Sequence, residues 1–130
     1  MIFIFGGKSQ GKLQYVRQTF GEKLTVTDLS TTDLENALSG DIIIHVQDAV
    51  RSILQSGGDP VEYFGRYIKD LKDKILIGTE IGCGIVPTDA AEREWRDQTG
   101  WVYQLLSKNA QRVDRVWAGI GQTLKSQSAL

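Results

Sequence analysis

Short apolar runs alternate along the chain with longer stretches in which apolar residues recur at helical spacing. Five runs rich in apolar and β-branched residues predict strands at residues 1–5, 24–27, 42–44, 75–77 and 113–118. The run at 42–44 consists entirely of isoleucine, which is typical of a strand covered on both faces. We therefore predict a central position for this strand.

Helical spacing fills the intervals between the strands. Apolar positions predict helices over residues 13–20, 46–54, 61–71 and 91–106. Thr32 and Glu35 have the spacing of a capping box for a short helix that ends at Gly40, and Asp59 precedes a proline at the first position of the next helix. After the last predicted strand, we expect a turn at residues 119–121 and a frayed tail over residues 126–130.

This alternation of strands and helices predicts an α/β fold with a mainly parallel sheet and helices on both faces. A length of 130 residues with 41% hydrophobic content fits a single domain over residues 1–130. Ligands of such sheets bind outside the carboxyl ends of the strands. The loop after the first strand, His45, Glu80 and the turn at Gly119 all follow predicted strands, so we expect them to converge there.

The charge balance and the apolar runs limit the classes of partner. Fifteen basic and sixteen acidic residues give a net charge of −1, which does not favour nucleic acid or a membrane surface. The apolar runs are far shorter than a membrane span, and residues 1–5 lack the features of a signal peptide. We therefore expect a cytoplasmic protein. One cysteine, Cys83, and one histidine exclude an internal disulfide and disfavour a zinc site.

The loop after the first strand has most of the phosphate-binding pattern G-x-x-x-x-G-K-[ST]. Gly6, Gly11 and Lys12 match it, with Lys12 placed to reach the terminal phosphates of a nucleotide. Leu13 stands where a hydroxyl would bind Mg²⁺, so the pattern indicates phosphate binding more clearly than catalysis. The alternative is a tight strand-to-helix turn without a ligand. The predicted nucleotide-binding residues are Gly6, Gly7, Lys8, Ser9, Gln10, Gly11, Lys12 and Leu13.

The segment from Glu80 to Pro87, E-I-G-C-G-I-V-P, resembles the E-V-G-x-G-I-V-P stretch of the adenosylcobinamide kinase/adenosylcobinamide-phosphate guanylyltransferase (CobU-type) family. The phosphate loop and residues 118–120 and 124–125 are also similar to that family, whereas residues 21–74 match poorly. The resemblance implies a RecA-like P-loop fold, a homotrimer and an enzyme of cobalamin biosynthesis. Such an enzyme uses GTP or ATP to phosphorylate adenosylcobinamide, a corrinoid, and then transfers GMP to the product. Within this segment, Gly82 and Gly84 become candidates for substrate or nucleotide contacts.

Three departures from the family pattern alter these expectations. Besides Leu13, His45 ends the 42–44 strand where the family has an aspartate that orients Mg²⁺, so we expect weak Mg²⁺ binding and weakened kinase activity. Residues 21–44 also lack the histidine that the family uses as the guanylyl-transfer nucleophile, so we expect that activity to be lost. His45 is open to three interpretations: a packed residue at the strand end, a nucleotide contact, or a nucleophile.

Glu80 is a candidate catalytic residue together with Lys12. It either organises a metal or accepts a hydroxyl proton, or it caps the following turn. Two functions therefore compete: a weakened kinase of cobalamin biosynthesis, and a non-catalytic nucleotide-binding homologue that regulates or scaffolds a partner. A third alternative is a loop that binds nothing and serves oligomer structure.

Overall fold

A computed structural model describes residues 1–82 and 89–127 of the protein. Within these residues, six strands form a sheet in the order β2-β3-β4-β1-β5-β6. The first five strands pair in parallel, and β6 pairs antiparallel with β5. The strands are β1 (Ile2–Gly6), β2 (Val26–Asp28), β3 (Ile42–Ile44), β4 (Ile75–Thr79), β5 (Arg112–Trp117) and β6 (Ile120–Ser126). The predicted α/β fold is confirmed, and β3 lies inside the sheet between β2 and β4.

Helices follow the strands as the periodicity predicts. They are α1 (Lys12–Phe20), α2 (Leu34–Ala37), α3 (Val46–Gln55), α4 (Pro60–Tyr67) and α5 (Ala90–Asn109). Asp59 caps α4 as predicted, because its carboxylate accepts a hydrogen bond from the backbone N–H of Glu62. The cap of α2 differs from the prediction. Asp33, rather than Thr32, accepts the N–H of Asn36, and a carboxylate is at least as good a cap as a hydroxyl.

The core lies on both faces of the sheet. Phe3, Leu76 and Val113 pack with buried residues of α2 to α5 on one face. Ile4, Ile77 and other strand residues pack with Val16 of α1 on the opposite face, which we call the α1 face. Because side chains alternate along a strand, Thr79, two positions after Ile77, lies on the α1 face, whereas Glu80 does not.

The structure extends the sheet beyond the predicted elements. The expected turn at residues 119–121 is present at Ala118 and Gly119, but Ile120 and Gly121 already belong to β6, which pairs with β5 from Trp117↔Ile120 to Arg112↔Ser126. Most of β6 is solvent-exposed, so it lacks the apolar alternation that predicts a strand, and only pairing with β5 defines it. The predicted frayed tail began at Ser126, which is the last residue of β6, while residues 128–130 lie outside the described residues.

No helix within residues 1–82 and 89–127 combines the length and the apolar character needed to cross a membrane.

Candidate functional site

The glycine loop connects β1 directly to α1. Gly6 ends β1, and a Cβ at this position would lie 2.4 Å from the carbonyl oxygen of Val116 on β5. Gly11 caps α1 in the left-handed conformation, with φ of 83°, which glycine adopts without strain. Glycine is therefore required at both ends of the loop, which begins at the carboxyl edge of the sheet and ends at the amino terminus of a helix.

Lys12 is buried at the base of this loop. Its ammonium donates hydrogen bonds to the carbonyl oxygens of Gly6, at 3.1 Å, and Gly7, at 2.7 Å. Burial lowers the pKa of Lys12, and the negative charge of Glu80 opposes that effect. The two carbonyl contacts hold the positive charge at the base of the loop.

A cleft of about 410 Å³ opens above the loop on the α1 face. Its walls combine the phosphate loop and the first turn of α1 with the ends of β3 and β4. The lining residues are Lys8, Ser9, Gln10, Gly11, Lys12, Leu13, Gln14, Ile44, His45, Ile77 and Thr79. The structure thus gathers six of the eight predicted loop residues and His45 around one cavity, with Gly6 and Gly7 at the base of the loop.

The turn between β5 and β6 holds the loop from its other side. Gln10 accepts hydrogen bonds from two backbone N–H groups of this turn: Ala118 donates to its side-chain oxygen at 2.7 Å, and Gly119 donates to its carbonyl oxygen at 2.8 Å. The predicted convergence of Gly119 on the first loop is therefore present.

Thr79 is a cleft residue that the sequence analysis did not identify. The predicted strand stopped at residue 77, whereas β4 continues to Thr79. Strand alternation from Ile77 would have placed its side chain in the cleft. Its backbone is held on both sides, because its N–H donates to the side chain of Gln47 at 3.0 Å and its carbonyl oxygen accepts from Tyr103 at 2.7 Å.

Glu80 follows Thr79 and does not line the cleft. Its backbone N–H donates to the carbonyl oxygen of Gly6 at 2.8 Å. Its carboxylate forms a two-point ion pair with Arg115, with Nε to Oε1 at 2.9 Å and Nη2 to Oε2 at 3.2 Å. The Arg115 guanidinium in turn stacks on Trp117, 4.3 Å from the ring centre. The catalytic role of Glu80 remains a prediction, and it requires this ion pair to open.

His45 is held by Asp28, another residue that the sequence analysis did not identify. His45 caps α3 in the left-handed conformation, and its Nδ1 lies 2.6 Å from Oδ1 of Asp28 at the end of β2. Burial acts to raise the pKa of Asp28, but hydrogen bonds from His45 and Ser30 outweigh it and hold that pKa below its usual value. The parallel pairing of β2 with β3 brings these two strand ends together.

Gly82 lies apart from the cleft lining. It has φ of 81°, and a Cβ there would lie 2.2 Å from Nε of Arg96 on α5. Glycine is therefore required at this position by its conformation and by packing against α5. Gly84 and Cys83 lie outside the described residues.

The donor set of the cleft does not fit a protein-held Mg²⁺ ion. Across residues 1–82 and 89–127, no group of three or more histidine, cysteine, aspartate or glutamate side chains is placed to bind a metal. Leu13 offers no oxygen, and the carboxylates of Asp28 and Glu80 are engaged by His45 and Arg115. The oxygen-bearing side chains among the described lining residues are the uncharged Ser9, Gln10, Gln14 and Thr79, whereas proteins usually bind Mg²⁺ through one or two carboxylates.

Comparison with known families decides the classification. The family model described as "Cobinamide kinase / cobinamide phosphate guanyltransferase" matches residues 55–124, more than half of the 130 residues. The chain belongs to this family. The match extends from the end of α3 into β6, so it includes Glu80, Gly82 and Arg115 but not the phosphate loop or His45.

A bifunctional protein of adenosylcobalamin biosynthesis also matches part of the chain. It is the "Bifunctional adenosylcobalamin biosynthesis protein CobP" of Pseudomonas aeruginosa, 34% identical over 53 residues. The match covers 41% of this chain and 31% of the relative. The similarity therefore spans about a third of the length of the bifunctional protein.

Proposed function

We propose that this protein acts in cobalamin biosynthesis as a member of the cobinamide kinase family that binds GTP or ATP through residues 6–13. The observation that carries this proposal is the cleft over the phosphate loop, with the Lys12 ammonium at its base and the amino terminus of α1 beside it. Backbone N–H groups at a helix amino terminus and a fixed lysine charge together favour the phosphates of a nucleotide.

We expect any kinase activity to be weak. Phosphoryl transfer depends on positioning and on neutralising the charge of the transferred group, and the cleft lacks the loop hydroxyl and the carboxylate that normally hold Mg²⁺ there. The acceptor that the family name suggests is cobinamide. Binding of this corrinoid, a cytoplasmic location and a homotrimer are further parts of the proposal.

We expect no guanylyl transfer. His45 is the only histidine of the chain, and its Nδ1 is hydrogen-bonded to Asp28. The family's own nucleophile position, between the first helix and the central strand, has no histidine.

A second function is a nucleotide-binding homologue without catalysis that regulates or scaffolds a partner. Leu13 in the cleft and the ion pair between Glu80 and Arg115 favour it, because together they remove the expected metal ligand and occupy the candidate base.

Calorimetric titration with GTP and ATP, with and without Mg²⁺, tests the shared nucleotide site. We expect Lys12→Ala to weaken binding by roughly 10- to 100-fold, because a hydrogen bond to a charged group contributes about 1.5–3 kcal/mol. Lys69→Ala, an exposed lysine beyond α4, is the matched control. Unchanged GTP and ATP affinity in Lys12→Ala, with an unchanged melting curve, would refute the proposed nucleotide site.

Incubation with γ-labelled GTP or ATP and adenosylcobinamide separates the two functions. Transfer of label to the corrinoid that is lost in Lys12→Ala supports the kinase. Tight nucleotide binding with no transfer supports the regulatory homologue.

A further inference from the structure

The negative charge of a bound nucleoside triphosphate has to be balanced in the cleft. A nucleoside triphosphate brings several negative charges, and its terminal phosphates are normally balanced by Mg²⁺ as well as by the loop lysine. The side chains here do not hold that ion. Lys12 remains, but its ammonium is partly committed to the carbonyl oxygens of Gly6 and Gly7. Another source of positive charge or of hydrogen-bond donors is therefore required if the phosphates are to be bound tightly.

His45 stands at the right place for that role. It follows β3, at the carboxyl edge of the sheet, and lines the same cleft as Lys8 and Lys12. Its backbone is left-handed, with φ of 64° and ψ of 45°. A residue other than glycine in that conformation is uncommon and concentrates at functional sites.

The bond to Asp28 fixes which ring nitrogen is available. An ionised carboxylate only accepts hydrogen bonds, so Nδ1 of His45 is the donor across the 2.6 Å contact. The remaining ring nitrogen, Nε2, has no partner among the described residues. When the ring is neutral, Nε2 only accepts a hydrogen bond. When the ring is protonated, Nε2 becomes a charged donor, which is what a phosphate oxygen requires.

Given the nucleotide site proposed above, we propose that His45, held by Asp28, binds the terminal phosphates as an imidazolium. It thereby replaces the divalent cation in balancing their charge. The pair forms a ligand-binding element that the family's aspartate cannot provide, since a carboxylate repels phosphate unless a metal lies between them. The carboxylate of Asp28 orients the ring through its contact with Nδ1, and phosphate oxygens are suitable acceptors for a charged Nε2–H donor.

The charged surroundings of the imidazole are few. Among the described residues, Asp28 on β2 contacts it, Lys8 and Lys12 line the same cleft, and β4 contributes the uncharged Ile77 and Thr79. On its own helix, Asp48 lies in the first turn. Bound phosphates would place negative charge beside the ring. Binding of the nucleotide and of the proton are therefore expected to reinforce each other.

The test measures GTP affinity in EDTA at about pH 6 and about pH 8, on either side of the ordinary titration range of imidazole. We expect wild-type protein to bind GTP roughly tenfold more tightly at the lower pH, since a rise of about one unit in the pKa of a group on ligand binding corresponds to a tenfold change in affinity. His45→Gln keeps a hydrogen-bonding side chain without the charge. We expect the ratio of its GTP affinities at about pH 6 and about pH 8 to fall to the small value set by titration of GTP itself.

Two carboxylate variants define the role of the partner. Asp28→Asn removes the negative charge that contacts the ring, and we expect it to lower GTP affinity at about pH 6 with little effect at about pH 8. Asp70→Asn makes the same change at an exposed position beyond α4 and serves as the matched control.

The single histidine of the chain supplies an independent readout. Its imidazole resonances in NMR spectra need no assignment, and we expect their titration midpoint to move to higher pH when GTP is bound. This measurement uses the wild-type protein and stays decisive if His45→Gln does not fold.

Two negative results have different meanings. GTP binding with the same pH ratio in wild type and His45→Gln, or a midpoint that GTP does not move, would overturn the role of His45 and leave the nucleotide site standing. Absence of binding of both GTP and ATP to the wild-type protein, with and without Mg²⁺, would refute the nucleotide site, and the role of His45 with it.

Discussion

Replacement of Asp114 tests how α1, which carries Lys12, is attached to the sheet. Asp114 lies on β5 and its side chain is fully buried. Its carboxylate accepts a hydrogen bond from the hydroxyl of Tyr15 on α1 at 2.6 Å and pairs with Arg112 at 3.0 Å. Asp114→Asn keeps the shape of the side chain but removes the negative charge that pairs with Arg112 and one of the two oxygens that accept hydrogen bonds.

The expected cost follows from the burial of each partner. Removing one partner of a fully buried ion pair costs about 3–5 kcal/mol. The Arg112 side chain is 33% exposed, so water partly compensates its loss, and asparagine still accepts one hydrogen bond. We therefore expect a loss of about 2–3 kcal/mol in the free energy of unfolding, or roughly 10 °C in Tm for a domain of this size.

The pH dependence of this loss provides a second check. Burial acts to raise the pKa of Asp114, but hydrogen bonds from Arg112, Tyr15 and Thr123 outweigh it and hold the pKa below its usual value. A carboxylate whose pKa is lowered by folding contributes stability that is present above the unfolded pKa of about 3.9 and lost as the pH falls through the folded value. The stability difference between wild type and Asp114→Asn should therefore shrink in acid.

Urea unfolding followed by circular dichroism between about pH 3 and pH 7 measures both quantities. Asp70→Asn, an exposed carboxylate, is the control for a general charge effect. A loss below about 0.5 kcal/mol at neutral pH, or a difference that grows in acid, would show that the Asp114 cluster does not stabilise the fold as described.

Three further predictions concern the cleft. Incubation with α-labelled GTP should leave no acid-labile, base-stable GMP on the denatured protein, and such label on His45 would contradict the expected loss of guanylyl transfer. Leu13→Ser combined with His45→Asp should make GTP affinity more dependent on Mg²⁺ and raise kinase turnover, and Glu80→Gln should abolish residual turnover. If calorimetry finds the same Mg²⁺ dependence in the double variant as in the wild type, this account of the cleft is contradicted. Gly6→Ala should lower the free energy of unfolding by about 1–3 kcal/mol in urea melts, because its Cβ would press on Val116, and an unchanged midpoint would contradict that close packing.

Local signals in the sequence were enough to predict the order of elements from β1 to β5, but not β6. The isoleucine run of β3, the helical spacing after it and the Asp59 cap each depend on residues close together in the chain, and the structure confirms them. The glycine loop is local in the same sense. Its glycines are required by a positive φ and a close approach to β5, which explains why Gly6 and Gly11 mark the loop in the amino-acid sequence itself.

The pairing of side chains across the sheet was not predictable in this way. Strand order and register decide that Asp28 meets His45 and that Glu80 meets Arg115, although 17 and 35 residues separate them. The sequence analysis assigned Glu80 a role beside the phosphates, but one residue along a strand reverses the face, and Thr79 takes the cleft position instead.

The sequence by itself thus determined the glycine loop, the succession of elements from β1 to β5 and the identity of the residues at positions 13 and 45, because each depends on near neighbours in the chain or on residue identity alone. Only the tertiary structure decided which side chains share the cleft and which are held elsewhere. A hydrogen bond or ion pair requires atoms within about 3 Å, and such distances between remote residues arise only when the strands are ordered, paired in register and covered by their helices.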